Sequence, residues 1–119
     1  MRNTRILAAG LCALALAAVP SLRGLADTPP RVIEIKAKKF EFSPNQLTLK
    51  KGETVTLRLV SEDRVHGFFQ RALGIDADID PAKASDVTLT PAQPGTYQVI
   101  CDHYCGYGHG NMNMTITVE

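Results

Sequence analysis

The sequence predicts an all-β fold, a small β-sandwich of about seven or eight strands, and three observations support this prediction. Apolar and polar residues alternate over most of the chain from residue 32 onward, which is the period of a half-buried strand. Turn residues such as Lys51-Gly52 and Pro94-Gly95 separate the alternating runs at the short intervals typical of sandwiches. No run after residue 27 has the spacing of an amphipathic helix.

The alternating runs give the expected order of strands. Residues 32–42, "VIEIKAKKFEF", are followed by residues 46–60, "QLTLKKGETVTLRLV", which contain two strands joined by a tight turn. A short apolar segment at 65–69 comes next, and residues 71–85, "RALGIDADIDPAKAS", are expected to be irregular. The last strands are expected in "DVTLT", "TYQVIC" and "MTITVE".

Residues 1–26 have the pattern of a signal peptide. Arg2 and Arg5 precede the apolar run "ILAAGLCALALAAV", and the small residues around Ala26 offer a cleavage point. The alternative is an uncleaved membrane anchor. The run is short for that role, because a membrane span needs roughly 20 apolar residues. We therefore expect an exported, periplasmic or otherwise extracytoplasmic protein whose folded domain is residues 27–119.

The charge of the exported domain argues against nucleic acid as a partner. Three of the 13 basic residues and none of the 12 acidic ones lie in residues 1–26, so cleavage leaves 10 basic and 12 acidic residues. A slightly acidic net charge is not typical of a domain that binds a phosphate backbone. The acidic stretch "DADID" has Pro81 where a calcium loop needs glycine, so it predicts a solvated edge that could dock a basic protein.

The stretch "CDHYCGYGHGNM", residues 101–112, concentrates metal-binding side chains between the last two predicted strands. Thiolates, imidazoles and a thioether suit copper or zinc and fit magnesium or calcium poorly. The remaining histidine lies 35 residues before Cys101, and neighbouring loops at one end of a sandwich can bring such positions together. The candidate metal ligands are His66, Cys101, His103, Cys105, His109 and Met112.

Three other interpretations of this stretch stay open at the level of residue types. A disulfide between Cys101 and Cys105 suits an oxidising compartment but leaves the histidines and Met112 unexplained. Two thiolates and two imidazoles could form a closed structural zinc site, to which a methionine adds nothing. A catalytic cysteine with a histidine base would lack any recognisable oxyanion-stabilising motif.

The spacing of these ligands resembles that of a known family. His66, Cys101, Cys105, His109 and Met112 follow the pattern of the binuclear copper (CuA) domain of cytochrome c oxidase subunit II and of nitrous oxide reductase. Upstream, "FEFSPNQLTLKKGETVTLRLVSED" resembles the early strands of cupredoxins, and "VHGFF" resembles the segment that bears the first histidine ligand. The resemblance covers most of residues 32–119 and implies a cupredoxin-like Greek-key β-sandwich.

The resemblance also implies a ligand role for each residue at a centre of two copper ions. Both cysteines would bridge the ions as thiolates, His66 and His109 would each bind one ion, and Met112 and the main-chain carbonyl of His103 would be weak ligands. His103 replaces a glutamate of the oxidase subunits, and the chain has neither Trp nor their two-helix anchor. A contact with the oxidase's catalytic subunit is therefore not implied.

The expected function is periplasmic electron transfer rather than conversion of a small-molecule substrate. The expected partner is a redox protein such as a c-type cytochrome or a terminal oxidase or reductase. The alternatives are a copper chaperone for oxidase assembly and the electron-entry subunit of a respiratory oxidase. Phe68, Phe69, Tyr104 and Tyr107 are candidates for keeping water away from the site.

Overall fold

A computed structural model of the chain describes residues 29–119, so the predicted signal peptide lies outside the described residues. Within 29–119, no helix has the length and apolar character needed to cross a membrane. The described chain forms nine strands and one 3₁₀ turn at His109–Asn111. The strands are β1 (Arg31–Lys38), β2 (Glu41–Ser43), β3 (Gln46–Leu49), β4 (Val55–Ser61), β5 (His66–Gln70), β6 (Ile75–Ile79), β7 (Ser85–Leu89), β8 (Gly95–Ile100) and β9 (Asn113–Val118).

The strands form two sheets that enclose one apolar core, which confirms the all-β prediction. One sheet has the order β2-β1-β4-β7 and the other has the order β3-β9-β8-β5-β6. The alternation in the sequence places one face of each strand inward: Val55, Leu57 and Leu59 of β4 are fully buried. Phe42 and Phe68 meet edge to face across the core, with ring centroids 5.4 Å apart.

The pairing of the strands differs from the simple antiparallel order in two places. β1 pairs with β4 and β3 pairs with β9, both in parallel register. The nine strands are one or two more than the predicted seven or eight. The turn at Lys51-Gly52, where Gly52 has a φ of 80°, leads from one sheet to the other, so β3 and β4 are not a hairpin. Alternation shows which face of a strand is buried, but it does not identify the neighbouring strand.

The segment expected to be irregular contains a strand. β6 pairs with β5 in antiparallel register and buries Ile75 and Ile79, while Asp76 and Asp78 remain exposed. Because aspartate is rare in strands, the alternation of residues 75–79 did not lead to the prediction of a strand. β6 is the edge of its sheet, and charged side chains on an edge strand oppose pairing with another chain.

The geometry of β5 and β8 determines where the metal-binding stretch lies. These strands are neighbours, but they pair only at Phe69 and Ile100. β8 ends at Ile100, and residues 101–112 continue as a loop beside the first residues of β5. The Cys101 N–H donates to the Met112 carbonyl at 3.1 Å, which closes this ligand loop before β9 begins.

Candidate metal centre

Two thiols and one imidazole form a buried cluster at the end of the sandwich. The Sγ atoms of Cys101 and Cys105 are 3.8 Å apart, and both residues are free cysteines. A ring nitrogen of His66 and both Sγ atoms lie within 4.8 Å of one another. His66 comes from β5 and the cysteines from the ligand loop, so the cluster depends on the contact between these two segments.

Cys105 is the residue that connects the other donors. Its Sγ lies 3.7 Å from His109 Nδ1 and 3.8 Å from Met112 Sδ. His109 begins the 3₁₀ turn, and Met112, which is 1% exposed, follows it. The turn therefore directs an imidazole and a thioether at the same sulfur.

His103 contributes its main chain rather than its ring to the cluster. Its carbonyl oxygen accepts a hydrogen bond from Cys101 Sγ at 3.1 Å. Its side chain is exposed, and Nδ1 lies 3.1 Å from the Tyr104 carbonyl. The structure thus brings together all six residues predicted from the sequence, five through side chains and His103 through its carbonyl.

Asp63 orients the buried imidazole, and the sequence analysis did not identify it. Its Oδ1 lies 2.6 Å from His66 Nε2, and its carboxylate also accepts the main-chain N–H groups of Lys39 and Arg64 at 2.7 Å. His66 Nδ1 is buried and meets no hydrogen-bond partner among residues 29–119. A buried imidazole that lies beside two thiols and has one nitrogen without a partner fits a metal ligand, because a carboxylate on the opposite nitrogen commonly fixes such a ring.

Gly67 is the second residue that the sequence analysis missed. Its main-chain N–H donates to Cys101 Sγ at 3.3 Å, and hydrogen bonds of this kind stabilise a thiolate. A Cβ placed on Gly67 would overlap Asp102 Oδ1 and lie 2.8 Å from the main-chain nitrogens of Asp102 and His103. The close approach of β5 to the ligand loop therefore requires glycine at this position.

The electrostatics of the cluster favour a bound cation over reactive thiols. Burial, followed by the hydrogen bond to Cys101 and the charge of Cys101, raises the pKa of the Cys105 thiol to about 11. Burial alone would raise the pKa of Asp63 as well, but its hydrogen bonds from Lys39, His66 and Arg64 outweigh burial and lower that pKa. A buried thiol with a raised pKa is a poor nucleophile, which disfavours a catalytic cysteine, whereas a soft cation would replace its proton.

The aromatic candidates are distributed unevenly around the centre. Phe68 belongs to the core, and Tyr104 packs against His109 with ring centroids 5.8 Å apart although it is 66% exposed. Tyr107 is fully exposed, so it does not shield the cluster as the sequence analysis suggested. The cluster is shielded instead by its own burial, since Cys105 and His66 are 0% exposed.

Comparison with known proteins identifies relatives over most of the chain. A family model described as a cupredoxin-like domain matches residues 6–118. Subunit 2 of cytochrome c oxidase from Thermus thermophilus is 34% identical over 87 residues, which are 73% of this chain and 64% of that protein. Nitrous-oxide reductase from Cupriavidus necator is 31% identical over 91 residues, 73% of this chain and 14% of that enzyme. The chain thus spans less than two thirds of either relative.

A solved structure agrees with the fold. The periplasmic domain of subunit II of cytochrome oxidase from Bradyrhizobium japonicum superposes with a TM-score of 0.70 at 16% identity. The superposition covers 80% of this chain and 88% of that domain.

Proposed function

The chain belongs to the cupredoxin-like domain family, and on this premise we propose that it is an extracytoplasmic electron-transfer protein with a binuclear copper centre. The observation that supports this proposal is the closed set of soft donors around Cys101 and Cys105. The two thiols are 3.8 Å apart, and Cys105 Sγ also contacts the His109 imidazole and the Met112 thioether. Both thiols lie beside the buried His66 imidazole, whose Nδ1 has no hydrogen-bond partner within residues 29–119. A site for one copper ion needs only one thiolate, so the second thiol favours two ions.

Each donor has a role that its surroundings support. The ligands would be the thiolates of Cys101 and Cys105, the Nδ1 atoms of His66 and His109, the thioether of Met112 and the main-chain carbonyl of His103. Two copper ions held by the thiolates of Cys101 and Cys105 would supply one-electron transfer, and sharing that electron would keep changes in bond length small. The protein would contribute a rigid and dry site, because four of the five side-chain ligands are at most 3% exposed.

The partner would be a redox protein, such as a c-type cytochrome or a terminal oxidase or reductase. A partner of this class is supported by the similarity to subunit 2 of a cytochrome c oxidase and to nitrous-oxide reductase. Export would remove residues 1–26 as a signal peptide and leave residues 27–119 as the folded domain. The similarity to a periplasmic domain supports this location.

A second candidate function is the electron-entry subunit of a respiratory oxidase, which the similarity to oxidase subunit 2 favours. Affinity purification from solubilised membranes would distinguish the two functions. Recovery of haem-bearing membrane subunits in fixed proportion to this chain would support the oxidase subunit, and recovery of the chain alone would support the free carrier.

Copper reconstitution of the reduced protein, followed by electron paramagnetic resonance, tests the proposed centre. We expect two copper ions per chain and a seven-line hyperfine pattern from one electron shared by two nuclei. A four-line pattern from one isolated ion, or no copper uptake, would contradict the proposal. Weakly held Cu(I) that passes to a competing protein would indicate a copper chaperone instead.

Replacing Asp63 with asparagine is expected to weaken copper binding by about 10- to 100-fold, because an amide offers one acceptor oxygen where the carboxylate now serves three donors. The His66 ring would then be less firmly held with Nδ1 towards the thiols. Competition with a copper chelator measures the affinity. Asp86→Asn is the matched control, since Asp86 pairs with Arg58 on the outer face of the other sheet. Equal affinities in the two variants would show that Asp63 does not orient the ligand.

Replacing Met112 with leucine is expected to raise the reduction potential without emptying the site. Leucine has a similar volume and preserves packing at this buried position, but it removes a weak donor that favours the oxidised state. A shift of about 60 mV, equivalent to a tenfold change for one electron, is the expected order of magnitude. Redox titration of the copper-loaded variant measures it, and an unchanged potential would exclude Met112 as a ligand.

A further inference from the structure

The turn between β1 and β2 contacts both segments that carry the predicted ligands. On one side, the Lys39 N–H donates to Asp63 Oδ2 at 2.7 Å, and Asp63 Oδ1 holds His66 Nε2. A carboxylate that is tied to a neighbouring turn has less freedom to rotate away from the imidazole. The turn therefore supports the ligand of β5 through Asp63.

On its other side, the same turn covers the ligand loop. A Cβ placed on Gly108 would overlap Cγ and Cδ2 of the Phe40 ring, and one placed on Gly106 would lie 2.9 Å from Phe40 Cε1. The ring thus rests directly on the main chain between Cys105 and His109. Phe40 lies outside the buried core and is 36% exposed, so its contact with the loop is its main packing role.

We propose that Lys39 and Phe40 form a positioning element, the β1–β2 brace, which holds the two ligand-bearing segments against each other. The role of the brace in metal binding rests on the proposed copper centre, whereas its contacts with Asp63 and the ligand loop do not. Metal sites require ligands held to within about half an ångström, and a loop secured mainly by its own hydrogen bonds opens more readily than a packed strand. Phe40 acts through the loop main chain on Cys105 and His109, and Lys39 acts through Asp63 on His66.

The first test measures the reduced, metal-free protein and does not require copper. In Phe40→Ala, alkylation of Cys101 and Cys105 by iodoacetamide is expected to accelerate by roughly tenfold. This corresponds to a closed loop that is about 1.4 kcal/mol less stable relative to the open loop. Phe40→Tyr should keep the slow rate because it retains the ring. Gly110→Ala is the matched loop control, since a Cβ there meets nothing within 4 Å. If Phe40→Ala does not fold, Phe40→Leu tests the same contact.

A double variant separates the brace from a general loss of stability. Gly108→Ala should also accelerate alkylation, because its methyl group displaces the ring. Combined with Phe40→Ala, it should add little further acceleration, since the ring that it displaces is already absent. Additive effects, or an alkylation rate in Phe40→Ala equal to that of the unmodified chain, would overturn the proposal.

The same variants loaded with copper distinguish failure of the brace from failure of the proposed function. If the brace positions the ligands, Phe40→Ala should alter the copper hyperfine splitting, whereas Phe40→Tyr should show the splitting of the unmodified chain. If the unmodified chain binds two copper ions and Phe40→Ala changes neither splitting nor alkylation, the brace is wrong and the copper centre stands. If the unmodified chain binds no copper but Phe40→Ala accelerates alkylation, the copper centre is wrong and the brace stands.

Discussion

Replacing Cys105 with serine is expected to abolish the signal of an electron shared between two copper ions. Cys105 Sγ lies within 3.8 Å of Cys101 Sγ, His109 Nδ1 and Met112 Sδ, so it connects more of the donors than any other atom described in the cluster. A serine hydroxyl is a harder and weaker donor, and it cannot replace a bridging thiolate. Electron paramagnetic resonance of the copper-treated variant should show a four-line pattern or no copper signal.

The comparison variant for this experiment is His103→Ala, which preserves the main-chain carbonyl that lies 3.1 Å from Cys101 Sγ. It should retain the seven-line pattern, because the His103 ring is exposed and outside the cluster. Persistence of the seven-line pattern in Cys105→Ser would refute the bridging role of this thiol. Loss of the pattern in His103→Ala would instead show that the imidazole itself is a ligand.

Replacing Gly67 with alanine is expected to separate β5 from the ligand loop and to prevent formation of the proposed two-copper centre. The added methyl group would overlap Asp102 Oδ1 and crowd two main-chain nitrogens, which cannot move aside as the end of a flexible side chain can. Overpacking of this kind costs about 1 to 3 kcal/mol, and it would also lengthen the 3.3 Å hydrogen bond from the Gly67 N–H to Cys101 Sγ. Copper stoichiometry and the midpoint of chemical unfolding measure the two effects.

Gly110→Ala is the control for Gly67→Ala, because Gly110 lies in the same ligand loop, has a negative φ and has no atom within 4 Å of an added Cβ. It should load copper and unfold like the unmodified chain. A Gly67→Ala variant that binds two copper ions with unchanged stability would show that the ligand loop can retreat from β5 without damage to the site.

The candidate ligands in the loop could be identified from the sequence because they lie close together along the chain. Cys101, Cys105, His109 and Met112 lie within twelve residues between two alternating strands, so their proximity requires only that the loop be short and closed. The all-β class was predictable for a similar reason, since the period of two is a property of each strand alone. Donor chemistry then restricted the metal to copper or zinc.

Contacts between distant parts of the chain could not be predicted in this way. The sequence does not show that β1 pairs in parallel with β4, or that residues 75–79 form an edge strand, because alternation carries no information about the neighbour. Nothing in the sequence distinguishes Asp63 from the other acidic residues, and only the turn before β5 brings its carboxylate to the His66 ring. The sequence likewise gives no sign that the Phe40 ring rests on the ligand loop.

The sequence by itself thus determined the donor types, their spacing in the ligand loop and the two-sheet class of the fold. The tertiary structure decided that His66, 35 residues before Cys101, lies beside the cysteines of the loop, and that its Nδ1 is the nitrogen left without a hydrogen-bond partner in residues 29–119. The physical reason is that donor chemistry belongs to individual side chains, whereas their geometry depends on which strands become neighbours. At this site, the neighbouring segments meet where β8 ends beside β5 and where Gly67 has no side chain to keep them apart.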